Sequence, residues 1–367
     1  MTVADDDEGE ELRERLDAAV RAVDAPDVVF ALSRHGRRFV HCGGTAPPPP
    51  VPRDRLRYEI GSASKPFAGL LLAHLTHLGR VNGDDPAVAH LSPNWSHGPH
   101  RRHRLYRPAA TLTHLITHTS GLPRVPADFY PQALHRWSTN PYVGYPAHRV
   151  VRAFLRARAG PAPGNRWCYS SFGVAVLGHA LAAATQTPWE DLLTSQVLRP
   201  LGLTDTTPRS DGSDGLYGSY SAGCGADATG HRADGTTPTP PLRIGGFQAA
   251  GGLRATPHDL LTFLEAHVDP EGSAAPAGSA LVDALRAVRR PVLRRGLGHR
   301  HVHTLTWFQH PSADGGTFCF HCGATMGQQA LLGFRRETGT ALAAVATRRI
   351  CRRDRFLPTA YALLSEV

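Results

Sequence analysis

In the stretch "YEIGSASKPF", residues 58–67, Ser62 stands three positions before Lys65. A serine hydroxyl is a poor nucleophile until a neighbouring base takes its proton. A lysine becomes such a base when burial or a nearby cation brings its pKa down from about 10.4. Arginine cannot serve, because its guanidinium does not release a proton inside a protein. Of the 40 Lys+Arg residues, Lys65 is the single lysine and the other 39 are arginine. A chain that uses arginine everywhere else keeps lysine beside this serine, which marks Lys65 as a candidate proton carrier. On a helix, residues three apart share a face, so the Ser62 hydroxyl and the Lys65 amine fall within hydrogen-bonding reach, while Ser64 points elsewhere. A helix starting at Ser62 would also bring backbone N–H groups and a positive dipole end to a reacting carbonyl.

Other reactive side chains give weaker patterns. Cys319 and Cys322 form "CFHC", but a zinc site needs two further ligands, and residues three apart on a strand point to opposite faces. His114 and His118 are four apart without the glutamate of an H-E-x-x-H motif, and His299, His301 and His303 alternate as a strand face would. Asp84 and Asp85 in "GRVNGDDP" read as a turn and cap. Neither a G-x-S-x-G elbow nor a phosphate-binding glycine loop occurs. No metal or organic cofactor is required by a serine–lysine mechanism.

These residues need elements to hold them. Residues 11–23 carry Leu12, Leu16, Val20 and Val23 at helical spacing, and "DVVFALSR" and "RRFVHCG" read as strands. The proline-rich "APPPPVPRDR" is a connection, since proline cannot donate to a ladder. From Ser62 to about residue 240 the pattern is helical and loop-rich, with an extended loop near 205–245. "TPHDLLTFLEAHV" follows as a helix with Thr256 as N-cap and Pro257 in its first turn. After residue 295, "HVHTLTWFQH", "GTFCFHCG", "QQALLGFRR" and "ALAAVATRR" read as antiparallel strands, and "RFLPTAYALLSEV" closes as a helix. The expected fold is α/β (α+β): an antiparallel sheet flanked by helices and completed by both ends of the chain, with an inserted all-helical lobe. Residues 1–65 and 246–367 would form the sheet lobe, residues 66–245 the helical lobe, and the active site would lie in the cleft between them.

At 367 residues with 41% hydrophobic content the chain can bury a large core. Its net charge of +9 is spread along the sequence with no zinc-finger or RNA-binding signature, which argues against nucleic acid as a partner. No run of 18 apolar residues and no secretory pattern is present, so the expectation is a cytoplasmic protein with free thiols.

"EIGSASKPF" resembles the Ser-x-x-Lys motif of the serine β-lactamase and penicillin-binding protein superfamily, closest to its class C and esterase-like branch. "TLTHLITHTSGLP" (111–123), "PGNRWCYSSFGVAVLG" (163–178), "AAGGLRATPHDLLTFL" (249–264) and "FHCGATMG" (320–327) resemble further segments of that branch in the expected order. The resemblance implies a β-lactamase/transpeptidase-like fold with Ser62 as nucleophile, Lys65 as its base partner and Tyr169 as the phenol that shuttles protons with Lys65. It implies an oxyanion hole from the N–H groups of Ser62 and Ala324, with Ser171, His321, Cys322 and Gly323 lining the substrate site.

Two motifs depart from the family pattern. Ser171 replaces the asparagine of Tyr-x-Asn, offering a single donor on a shorter side chain. His321 replaces the lysine of Lys-Thr-Gly, removing a permanent cation. Both changes favour an ester, thioester or activated amide over a β-lactam or D,D-peptide. The implied function is a serine acyl-enzyme catalyst passing its acyl group to water, as an esterase or amidase, or to an amine or alcohol, as an acyltransferase in small-molecule biosynthesis. β-Lactamase or D,D-peptidase activity and a catalytically silent binding protein are the alternatives. Substrate choice is expected from loops near 95–108, 124–146 and 205–245, and the sequence leaves the oligomeric state open.

Overall fold

The computed structural model describes residues 3–92, 109–157, 161–208, 226–297 and 301–367. Its centre is an eight-stranded, wholly antiparallel sheet in the order β2-β1-β10-β9-β8-β7-β6-β5. The strands are β1 (Val28–Arg34), β2 (Arg37–Gly43), β5 (Pro291–Arg295), β6 (His301–Thr304), β7 (Phe308–Pro311), β8 (Thr317–Ala324), β9 (Gln329–Arg335) and β10 (Thr340–Ala346). A separate two-stranded ladder pairs β3 (Tyr58–Glu59) with β4 (Arg254–Ala255). The main sheet thus draws only on residues before 44 and after 290, as the sequence pattern predicts.

Both sheet faces are covered, which explains why β9 and β10 are apolar almost throughout instead of alternating. On one face Phe30, Leu32, Leu331 and Leu342 pack against Leu12 and Leu16 of the helix Val3–Arg21 and against Phe356 and Leu364 of the helix Phe356–Glu366. On the other, Val29, Leu332, Phe334 and Ala343 meet the larger core, which includes the helices Lys65–His77, Ser171–Thr185 and Pro257–Val268. Phe67 stacks on Phe263 with ring centroids 3.7 Å apart, tying the helix that carries Lys65 to a helix lying on the sheet.

Local expectations hold where side-chain chemistry is specific. Thr256 accepts the Asp259 N–H at 3.3 Å and Pro257 occupies the first turn. The run "HVHTLTWFQH" is two strands, β6 and β7, because the Thr304 hydroxyl accepts the Trp307 N–H at 3.0 Å and closes a turn. Strand β5 and the helix Ala280–Ala287 go unannounced in the sequence reading. "PVLRR" is a largely exposed edge strand whose arginines and proline suit an edge but blur the alternation. His299, the 95–108 loop and part of the 205–245 loop lie outside the described residues.

Removing the cap hydroxyl of the sheet-packing helix tests its local assignment. Thr256→Ala is expected to cost about 1 kcal/mol, read as a lower urea midpoint at unchanged slope.

Candidate active site

The site begins with a turn that the chain holds from several sides. Just after β3, residues Gly61–Ser64 form a 3₁₀ turn and the α-helix proper starts at Lys65. The Ile60 N–H donates to Leu253 O at 3.2 Å, the Leu253 N–H donates to Ser64 Oγ at 3.2 Å, and the Glu59 N–H donates to Gln328 Oε1 at 2.9 Å. Ser64 therefore points away from the reactive pair, into the wall of residues that precede β4. Two glycines let the turn lie against the end of β8. Gly61 has φ +50°, and a Cβ there would stand 2.6 Å from Ala324 O. A Cβ at Gly323 would overlap Ile60 O and come within 2.7 Å of Ala63 N. Between them these contacts put Ser62 beside Ala324.

Lys65 is 1% exposed. Its Nζ donates to Ala250 O at 2.7 Å and lies 2.9 Å from Ser62 Oγ and 5.0 Å from the centre of the Tyr169 ring. Burial pulls its pKa below the usual lysine value; Tyr169, by its charge and its hydrogen bond, opposes the shift, and the Arg124 cation adds to it. A neutral amine still has two N–H donors and gains one lone pair. It can keep the Ala250 carbonyl satisfied while accepting a proton from Ser62.

Tyr169 is fixed through residue 118. The Cys168 N–H donates to His118 O at 2.8 Å and the Ser170 N–H to His118 Nδ1 at 3.2 Å, while the two rings sit 4.4 Å apart. His118 takes φ +62° to make these contacts. Because Nδ1 accepts an N–H it carries no proton, and burial followed by the Lys65 charge holds this imidazole neutral, its pKa well below the usual range. Ser170 caps the next helix, accepting the Gly173 N–H at 2.8 Å, and donates to Pro123 O at 2.6 Å. Ser171 is then the first helical residue, buried and facing the cavity.

A cavity of about 530 Å³ opens over Ser62, lined by Gly61, Ala324, Thr325, Ser171, Ala250 and a set of large apolar side chains. Three residues assigned to its lining lie elsewhere, and of these Gly323 packs against the backbone of Ile60 and Ala63 at the Ser62 turn. His321 is 2% exposed and sits behind Lys65, around a small void of about 10 Å³ shared with His118 and His303. Its Nδ1 donates to Cys322 O at 2.8 Å, and burial followed by the Lys65 charge lowers its pKa to about 3. Cys322 points to the opposite face of β8, against the layer of Leu357 and Tyr361, so only its backbone can approach a substrate. Strand alternation explains this: Cys319 and His321 share one face, Phe320 and Cys322 the other. The two thiols do not converge, and among the described residues no group of His, Cys, Asp or Glu is arranged to hold a metal ion.

The sequence reading missed Arg124 and Arg349, which bring cations to the cavity even though the third motif has lost its lysine. It also set His118 aside for want of an H-E-x-x-H motif. Five aromatic residues between 129 and 145, in a chain that averages 7% aromatic, were the available signal for a binding wall.

A family model described as beta-lactamase matches residues 12–365. The chain belongs to the beta-lactamase family. It is 32% identical over 151 residues to the D-alanyl-D-alanine-carboxypeptidase/endopeptidase AmpH of Escherichia coli strain K12, a stretch covering 41% of this chain and 36% of that protein. Its matches to curated relatives span 27% to 48% of those proteins' lengths. A class C beta-lactamase solved in complex with cefoxitin superposes with a TM-score of 0.76 at 18% identity over 97% of this chain and 99% of that one. A D-stereospecific amidohydrolase from Streptomyces sp. does so at 0.66 and 22%, covering 92% and 93%. The fold is thus that of the family's serine hydrolases. No helix among the described residues is long and apolar enough to cross a membrane.

The close approach at Gly323 yields a direct test. Gly323→Ala is expected to push the Ser62 turn off β8, costing about 1–3 kcal/mol because the atoms met are backbone and cannot step aside. Thermal melting combined with labelling of Ser62 reads both effects; a variant that keeps both the melting temperature and the labelling rate would refute the packing argument.

Proposed function

We propose that the protein is a serine acyl-enzyme catalyst acting on an ester, thioester or activated amide. The observation that carries this reading is the buried Lys65 amine 2.9 Å from Ser62 Oγ at the floor of an open cavity. Lys65, with Tyr169 as its proton partner, accepts the Ser62 proton as Oγ bonds to the acyl carbon. The N–H groups of Ser62 and Ala324 hold the resulting oxyanion. The bond from acyl carbon to leaving group then breaks, and Tyr169 and Lys65 return the proton to the leaving oxygen, sulfur or nitrogen. In the second half an acceptor loses its proton to the same pair and attacks the acyl carbon, and Ser62 departs with a proton restored. Water as acceptor makes an esterase or amidase; an amine or alcohol makes an acyltransferase. The acyl donor and any amine or alcohol acceptor are small molecules in this reading, with no nucleic acid or membrane partner.

A second reading has support in the relatives. AmpH and the Streptomyces amidohydrolase carry names that specify D-configured amide substrates. Against a β-lactam or D,D-peptide substrate stand Ser171 at the asparagine position and the neutral His321 at the lysine position.

Intact mass after brief exposure to esters, thioesters, a D-alanyl-D-alanine peptide and a penicillin separates these readings. Wild type is expected to gain one acyl mass and Ser62→Ala none; a folded wild type that no donor labels would point to the catalytically silent alternative. Lys65→Arg preserves the charge and is expected to lower acylation more than tenfold, because arginine cannot cycle its proton. The neutral amine is the active form, so the acylation rate should rise with pH through a limb below the ordinary lysine value of 10.5 and fall as pH drops through it. A limb at or above that value would contradict a buried base.

A further inference from the structure

We infer that the acyl group this site accepts carries a large apolar, preferably aromatic, substituent and no positive charge; the inference rests on the serine reading above. The cavity over Ser62 is walled on one side by Phe129, Tyr142 and Phe247, whose ring centroids stand 5.2–5.7 Å apart. At the rim Tyr130 and Trp137 stack at 6.4 Å with an interplanar angle of 22°, yet remain 51% and 48% exposed. The inner rings belong to the core. The rim pair leaves a large aromatic surface facing water at the mouth of the cavity, where a ligand seated over Ser62 would cover it.

Size and charge narrow the choice. An acetyl group bound to Ser62 would leave most of a cavity of about 530 Å³ and its aromatic wall wet, whereas a phenyl or branched aliphatic group would displace that water. The lining residues include no Asp or Glu but do include Arg124 and Arg349, neither of which forms an ion pair among the described residues. A cationic acyl chain would enter against two guanidinium groups with no carboxylate among the described lining residues to meet it. A neutral or anionic one would not.

Matched 4-nitrophenyl esters that differ only in the acyl part test this: acetate, 3-phenylpropanoate, hexanoate and 6-aminohexanoate. The readout is kcat/KM, checked by the adduct mass on Ser62. 3-Phenylpropanoate is expected to exceed acetate by about tenfold or more after correction for intrinsic ester reactivity, and hexanoate to exceed 6-aminohexanoate by a similar factor. Trp137→Ala and Tyr142→Ala should each lower the phenylpropanoate-to-acetate ratio at least threefold. The ratio is taken within one preparation, so partial loss of folded protein cancels. Equal rates for acetate and phenylpropanoate, a ratio unmoved by both variants, or faster reaction of the cationic chain would overturn the inference while leaving the serine reading intact. If no ester, acetate included, labels Ser62, this inference is overturned; if the thioesters, the peptide and the penicillin also leave Ser62 unlabelled, the serine reading fails with it.

Discussion

Everything at the site depends on keeping one amine out of water. Lys65 is enclosed by its own helix, the Ala250 carbonyl, the Tyr169 ring and the residues behind β8, and its amine hydrogen-bonds to Ser62 and Ala250, both of which line the cavity. A buried ammonium is costly unless its hydrogens are satisfied, and a buried neutral amine costs far less. The surroundings favour the second state. His118, His303 and His321 lie near the lysine with pKa values below the ordinary range, burial being the first cause in each case, so the space behind it carries imidazole dipoles and, among the described residues, no carboxylate to hold a proton on the amine. In the proposed mechanism this is the reason that a chain with arginine at 39 other positions keeps lysine here.

The rest of the architecture brings that amine to the serine and the serine to the strand. Two short ladders make this possible. β3 and β4 pair directly on either side of the turn and of Ala250, so the carbonyl that binds Lys65 and the hydroxyl that Lys65 faces are tied together by the same hydrogen bonds. β8 is paired with β7 only as far as Phe320, leaving His321–Ala324 free on that side for the turn to approach. Gly61 and Gly323 remove the two Cβ atoms that would block the approach. The sheet supplies rigidity, but the contact itself is made by backbone, where a single methyl group decides whether it exists.

Legibility followed the same division. The Ser62–Lys65 pair, the cap at Thr256, the antiparallel strands and their origin at the two ends of the chain could be read from spacing and residue type, because each rests on local chemistry. The opposite pointing of Cys319 and Cys322 followed from strand period alone. What could not be read depended on long-range neighbours. Sequence motif order put His321 and Cys322 in the substrate site, yet alternation along β8 sends one behind the lysine and the other into the far layer. Arg124, Arg349 and Phe247 reach the cavity from three separate segments, and nothing in their local sequence announces a shared destination. β5 stayed hidden because an exposed edge strand lacks the alternation that burial imposes.

The changed motifs acquire a joint meaning once these positions are known. A lysine at position 321 would set a second cation against a buried amine, and its charge would bear on both substrate binding and the proton affinity of Lys65. With a neutral histidine there, the cations that line the cavity among the described residues are those of Arg124 and Arg349. Of these only Arg124 lies close enough to bear on Lys65, which it does weakly beside burial and Tyr169. In the proposed mechanism, recognition of charge and movement of the proton are thereby assigned to largely different residues. The cavity walls from 124 to 142 and at 349 can then change in shape and charge without altering the buried pair to which the proposed chemistry is assigned.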